Sequence, residues 1–421
     1  MRLPYALLAI ASLTALVLIA CGGGGDGDEP DATSTLPAPT ATTTTAPLVD
    51  VPGRPNAFAD YPGVVGIYLT TAGPAALGAP CLSELIDEWA MIEPGVPVAP
   101  EERCLVGNTD GDADQEVIVL FTVEADDGIR MFSNVVVFDS TPDGYVVVYE
   151  SFTPDQFEES SPQRIVAAED LTGHGRGELV YTATTCGANT CWLRVNVVTG
   201  GTDDGTYSDL TPEDGILMEY ADLTVEDLNG DGEQEIVLHG GVAGGNASGP
   251  QRTRTDVYGW IVGATLGLQE TTFDSSDVLY FHIIDADAFF NEGNFAIAAQ
   301  RYRDAIANQA LVETGYHENE LDELGAYAVF RIAASQVIEG DTEAAALALE
   351  QGLVDYAGTV NAGLIEAFQQ GYADSDNYQG GCLAVLEHIN ANLDDFQAFW
   401  AYGTSNPSFD PERVCPFSLV R

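Results

Sequence analysis

The residues whose types and spacing best suit chemistry lie in one stretch, DLNGDGEQEIVLHG, Asp227 to Gly240. Asp227, Asn229 and Asp231 put an oxygen-bearing side chain on alternate residues, Gly230 and Gly232 permit a tight positive-φ turn, and Glu235 returns a carboxylate at the ninth position. A hard cation gathers about six to eight oxygens from a chain that curls around it, so this is calcium-loop chemistry, with calcium as the implied cofactor. Two further copies of the pattern lie upstream, NTDGDADQEVIVLF from Asn108 and DLTGHGRGELVYTA from Asp170. In the middle copy Thr172 and His174 replace the central ligands. A neutral imidazole serves a hard cation poorly, and no metal is expected there. The competing reading makes all three loops turns in which Asp and Asn bond their own backbone.

The elements that must position these residues also repeat. The loops begin at residues 108, 170 and 227, a period of about 60. Each is entered from an extended segment, as RIVAAED precedes Leu171, and each runs into β-rich text. In the first unit the strands are 116–123, 129–139 and 145–151; in the second they are 178–184, 191–198 and a weak one near Tyr207; in the third, 236–240 and 257–265. About four short strands per unit at this period describe a propeller blade. Upstream, VVGIYLTT (64–71) reads as a strand and Leu82 to Ile92 as a helix.

Loop plus strand resembles the FG-GAP or VCBS class of integrin-alpha-type β-propeller repeats, whose core reads D-x-[ND]-G-D-G-x-x-[DE] followed by aliphatics. The resemblance spans about 165 residues and is closest in the Asp227 copy. It implies calcium binding at loop positions one, three, five and nine. Those are Asp227, Asn229, Asp231 and Glu235 in the best loop, and Asn108, Asp110, Asp112 and Glu116 in a weaker one, where Ala113 stands in place of the second glycine. Three blades are fewer than the usual minimum of about four for a closed ring. Residues 61–108 either supply a degenerate fourth blade, or the three form an open arc capped by helices.

Beyond Gln269 the text turns Ala-rich and helical. Ala286, Phe289, Gly293, Phe295, Ala298, Tyr302 and Ala305 follow the small, aromatic and turn positions of tetratricopeptide repeats, which this stretch resembles. A second unit keeps Ala333, Gly340, Ala345 and Leu349 in register, and a poorer pair runs over 361–370 and 381–392. The segment 308–325 between the first two units is an extended helix or an insertion. A generic array of helical hairpins is the alternative, since an Ala and Leu face at helical spacing usually forms core.

The amino terminus has Arg2 followed by an apolar run from Ala6 to Ala20, the form of an export signal. Leu18-Ile19-Ala20-Cys21 resembles the lipobox of bacterial lipoproteins, which implies a lipid on Cys21 and membrane attachment. Residues 22–57, rich in Gly, Thr and Pro, form a disordered tether reaching up to about 100 Å. The other six cysteines allow fifteen pairings. Proximity selects Cys81 with Cys104, Cys186 with Cys191 and Cys382 with Cys415, and export favours the oxidised state. Sixty-six acidic residues face 14 basic ones, all Arg, for a net charge of −52. Such a field repels phosphate backbones and anionic lipid headgroups, which argues against nucleic acid as a partner. The sequence has no GxSxG elbow, no phosphate loop with its Lys and no HExxH, and its five histidines are dispersed.

The expected architecture is multidomain, β then α. A lipoprotein signal (1–21) and tether (22–57) precede a partial or small β-propeller-like repeat domain (58–272) and a tetratricopeptide-like helical hairpin domain with a tail (273–421). The expected function is binding or scaffolding outside the cytoplasm, at the cell membrane or surface, of a protein, peptide or glycan partner, with calcium stabilising the repeat loops. A calcium-dependent carbohydrate-active or other hydrolytic enzyme is the second reading, and a structural spacer the third.

Overall fold

Alternation with a period of two builds the first half of the chain. Val117, Val119 and Phe121 point to one side of a strand and Ile118 and Leu120 to the other, and all five are buried, so this strand is covered on both faces. A computed structural model describes residues 49–78, 80–91, 103–112, 114–124, 131–152, 163–201, 206–245, 247–261 and 265–417. The export signal, Cys21, most of the expected tether and Ala113 fall outside that set.

Three antiparallel sheets follow one another. The first is β1 (Cys104–Gly107), β2 (Glu116–Glu124), β3 (Met131–Thr141) and β4 (Gly144–Glu150), paired in that order. The second is β5 (Gln163–Glu169), β6 (Glu178–Cys186), β7 (Cys191–Gly200) and β8 (Tyr207–Asp209), with β9 (Ile216–Glu219) also paired to β7. The third is β10 (Asp222–Glu226), β11 (Glu235–Gly240), β12 (Arg254–Ile261) and β13 (Thr265–Phe273). In each sheet the acidic loop joins the first strand to the second, so the sequence repeat is a structural one. Among the described residues no sheet closes on itself.

The sheets stack through apolar layers. Ile118, Leu120, Val135 and Val137 of the first meet Ile165, Leu179 and Val198 of the second. Val180, Val195 and Val197, on the opposite side of the second, meet Ile236, Leu238 and Leu266 of the third. The outward face of the third sheet is polar: Asp222, Thr224, Glu226, His239, Glu270 and Thr272 share it and are exposed.

The free face of the first sheet is covered by helices, where sequence reading expected a strand. Residues 64–71 lie in α1 (Tyr61–Ala72), followed by α2 (Ser83–Glu88), which is shorter than the expected 82–92. Val64, Val65 and Ile67 carry β propensity, but Tyr61, Val65, Tyr68 and Leu69 recur at helical spacing and are buried, while Ile67 is 70% exposed. Pro62 sits in the first turn, where it is tolerated. Thr70 and Thr71 donate their hydroxyls back to the Gly66 and Ile67 carbonyls, both at 2.8 Å. Residues of the expected 22–57 segment pack on this layer: Val49 and Val51 lie against its core, and the Trp89 indole donates to Pro52 O at 2.7 Å. Among the described residues, 61–108 supply these helices and β1 rather than a fourth blade.

Among the described residues eight helices follow the sheets: α3 (Leu279–Asn291), α4 (Phe295–Ala307), α5 (Glu320–Glu339), α6 (Thr342–Asp355), α7 (Ala362–Ser375), α8 (Tyr378–Ala391), α9 (Leu393–Phe399) and α10 (Pro411–Val414). The first six make three antiparallel hairpins. Gly293 and Gly340 take the left-handed conformation at the first two turns, at φ of 82° and 85°. Ala286, Ala298, Ala305, Ala333 and Ala345 are buried where helices meet. Residues 308–319 are a connection rather than helix. Val312 bridges Val278, and Glu320 accepts from the Thr314 and Gly315 amides at 2.9 and 3.2 Å.

A buried ionic knot holds this region. The Arg331 guanidinium, fully buried, donates to Asp287 Oδ1 at 3.0 Å and to Val414 O at 2.9 Å, and lies 3.6 Å from the centre of the Phe290 ring. The Tyr302 and Tyr327 hydroxyls also donate to Asp287. Helices and third sheet belong to one compact unit. Arg252, preceding β12, binds Asp285 on α3 with both terminal nitrogens, and the Thr404 and Ser405 amides reach Ala247 O and Ser248 O at 2.8 and 3.0 Å. All three cysteine pairs chosen by proximity are disulfides: Cys81–Cys104, Cys186–Cys191 and Cys382–Cys415. Among the described residues, no helix is long and apolar enough to cross a membrane.

Candidate metal centre in the first loop

The three loops share a backbone logic. The position-one side chain accepts backbone amides further along the loop: Asn108 Oδ1 from Gly111 and Asp227 Oδ1 from Gly230, both at 2.6 Å, and Asp170 Oδ1 from His174 at 3.0 Å. The ninth-position Glu accepts the amide of position two: Thr109, Leu171 and Leu228 donate to Glu116, Glu178 and Glu235. Gly111, Gly173, Gly175, Gly230 and Gly232 all hold positive φ, so the tight turn read from the sequence forms in all three. The loops also touch in series. The Gly177 amide donates to Asn108 O at 2.7 Å and the Gln234 amide to Leu171 O at 2.8 Å. Gly177 has no side chain because a Cβ there would stand 2.6 Å from Asn108 O.

At positions three and five the first and third loops also agree. In the first, Asp110 Oδ1 accepts from Asp112 N at 3.0 Å and Asp112 Oδ1 from Asp114 N at 2.7 Å. In the third, Asp227 Oδ2 accepts from Gly232 N at 3.0 Å, Asn229 Oδ1 from Asp231 N at 2.8 Å and Asp231 Oδ1 from Glu233 N at 2.9 Å. What differs is the ninth-position carboxylate. In the Asp227 loop the Asn229 amide donates to Glu235 Oε1 at 3.0 Å, filling that carboxylate. In the Asp170 loop, burial raises the Asp170 carboxyl, but amide donors from Gly175 and His174 outweigh it and leave the group below its ordinary value. Arg176 adds positive charge beside Glu178.

Only in the Asn108 loop, among the described residues, do carboxylates converge: ligand oxygens of Asp110, Asp112 and Glu116 lie within 4.8 Å of one another. Glu116 has no solvent exposure, and its Oε1 has no hydrogen-bond partner. Burial pushes its carboxyl up to about 7 despite the Thr109 amide and hydroxyl on Oε2, and the Asp110 and Asp139 charges push the same way. The cause of the burial is the stack. The ninth-position Glu lies on the side of its strand that faces the following sheet. Glu116 is therefore roofed by the second sheet, where Tyr207 bonds Thr109 and the Gly200 amide donates to Thr109 O at 2.8 Å. Glu235 belongs to the last sheet among the described residues and, without a following sheet over it, is 7% exposed.

An acidic oxygen buried without a donor is costly, and a hard cation is the partner that removes the cost. By donor chemistry the Asn108 loop fits such an ion, with Asp110 and Glu116 inside and Asp112 open to solvent. In the Asp227 loop, closest to the sequence pattern, the Asn229 amide already fills the ninth-position carboxylate. Sequence reading missed Asp139 and Tyr207, which reach the site from β3 and β8, and its weighting of the two loops rested on residue identity alone. Of the histidines, His239 Nε2 lies 3.1 Å from Asp274 Oδ2 at the exposed edge of the third sheet, and His282 Nε2 lies 2.9 Å from Ser276 O. No family model and no curated protein sequence matches this chain.

Proposed function

We propose that this chain is a membrane-anchored, extracytoplasmic binding lipoprotein. In this reading three FG-GAP-like blades form an open, partial propeller in which calcium stabilises the first loop, and the blades carry a tetratricopeptide-like hairpin array that receives a protein, peptide or glycan. The observation that carries it is the unpartnered Glu116 Oε1, buried among Asp110 and Asp112 at the seam between two blades. An ion there would act structurally, cancelling charge where the first two sheets meet, with the weak affinity usual for extracellular modules. Lipid attachment rests on the four-residue resemblance ending at Cys21. For the partner, a cavity of about 240 Å³ opens between α3 and the segment leading to α10, walled by Tyr327, Trp400 and Phe409. The buried indole Nε1 of Trp400 has no acceptor, which an oxygen of a bound ligand would supply.

Thermal melting of the full chain in chelator and in millimolar calcium tests the metal reading, and the same pair of conditions in peptide and glycan panels tests the binding. Calcium raises the midpoint of the wild type and of Asp231→Ala but leaves Asp112→Ala unmoved. An unchanged wild-type midpoint refutes the metal, and a shift lost only in Asp231→Ala moves it to the third loop.

A further inference from the structure

We infer that Asp139, which lies outside every loop repeat, is a ligand of the first-loop cation, so that this site is built jointly by a loop and a neighbouring strand. The inference rests on the calcium reading of the same loop and adds a residue to it. The register of β2 on β3 pairs Val117 with Phe138, which puts Asp139 across from Glu116. Both follow the parity of Ile118 and Val137, the residues that face the second sheet, so the two carboxylates lie side by side on one face. Each presents an oxygen that is buried and unpartnered: Glu116 Oε1 and Asp139 Oδ1. Like charges directly opposite in a ladder destabilise it, and two such oxygens together need something positive between them.

Among the described residues, no side chain donates to either oxygen. Arg176 packs its stem against Gly111, but its Nη1 is directed at Gly200 O at 3.5 Å and its charge acts on Glu178 of the second loop. Oxygens of Asp110, Asp112 and Glu116 lie within 4.8 Å of one another, and the Asp110 and Asp112 charges also act on Asp139, the fourth carboxylate of the inferred set. All donors are oxygen, and the charge suits a divalent hard cation of calcium size. Asp112, the exposed member, marks the side from which an ion enters. The other two repeats lack the fourth group. Thr199 stands opposite Glu178, and the pairing of Ile236 with Tyr258 puts Gly259 opposite Glu235. The first repeat thus differs from its copies by a residue on the third strand position, away from the loop that defines the motif.

Calcium titration calorimetry on the full chain decides the matter, in an Asp231→Ala background so that only the first loop reports. Asp139→Thr installs the residue type of the second repeat, and Asp139→Asn keeps an oxygen while removing the charge. Calcium affinity falls at least tenfold in Asp139→Thr, with Asp139→Asn between it and the parent, while near-ultraviolet circular dichroism of both matches the parent. Affinity within twofold of the parent in Asp139→Thr overturns the assignment of Asp139 and leaves calcium in the loop. A parent that takes up no calcium at millimolar concentration overturns the loop reading and this inference together. Equal affinities accompanied by a stability that depends on pH in the parent alone would show that Asp139 and Glu116 share a proton instead, which also refutes the ligand role.

Discussion

Asp287→Ala is the most demanding single change for the helical half. Arg331 is fully buried and Asp287 only 16% exposed at the side chain, so their pairing is shielded from water. Removing the carboxylate strands a guanidinium and two phenol hydroxyls, those of Tyr302 and Tyr327, which otherwise donate to Asp287. Breaking one side of a buried pair costs about 3–5 kcal/mol, because the remaining charge stays uncompensated. Replacing both partners by apolar residues of similar volume, Asp287→Leu with Arg331→Met, removes the charges together. Both variants leave the Tyr302 and Tyr327 hydroxyls without their acceptor; in place of the stranded charge the double variant loses only the donor of the Val414 carbonyl at 2.9 Å, about 1–3 kcal/mol. The double variant is therefore more stable than Asp287→Ala alone. Urea unfolding followed by far-ultraviolet circular dichroism, which the helices dominate, measures the differences at constant m-value. A loss below about 1 kcal/mol in Asp287→Ala, or a double variant as unstable as the sum of its parts, would refute the reasoning.

Glu116 makes the ion-free protein sensitive to pH. Its carboxyl is raised from 4.5 to about 7, so between these values the folded state holds a proton that the unfolded chain has released, and stability in chelator falls as pH rises through that window. Glu116→Gln flattens the slope in melting experiments, and a slope that survives it rejects Glu116 as the source. Among the disulfides, Cys382–Cys415 spans 33 residues and Cys186–Cys191 only 5, so by loop entropy the paired Cys→Ala changes cost about 3–4 and about 2 kcal/mol respectively. Urea midpoints in the opposite order would contradict this ranking.

The repeat was legible because its signals are local. Glycines at positive φ and Asp or Asn side chains bonding nearby amides act within about eight residues, and all three copies display them. The cysteine pairs were legible for the same reason. Helix α1 was not, because Val64, Val65 and Ile67 carry strand propensity, and only the buried positions Tyr61, Val65, Tyr68 and Leu69 reveal a helical stripe. The difference between the Asn108 and Asp227 loops was also hidden. Both offer similar oxygens, and both spend one at positions three and five on the backbone. Whether a side-chain amide fills the ninth-position carboxylate depends on conformation, while the burial of Glu116 depends on a sheet that begins some fifty residues later. Asp139 could not be found from the motif at all, since strand register alone brings it to Glu116.

The polar face of the third sheet sets how many such units a chain of this kind can contain. Each inner face in the stack is apolar and calls for a neighbour, whereas Asp222, Glu226 and Glu270 present like charges to whatever approaches next. A fourth blade, or the third sheet of another copy, would have to desolvate those carboxylates without a counter-charge. Helices α1 and α2 already occupy the opposite end. The stack therefore terminates itself in both directions, and growth by duplication of a repeat would have to enter in the middle, between apolar faces, rather than at either end.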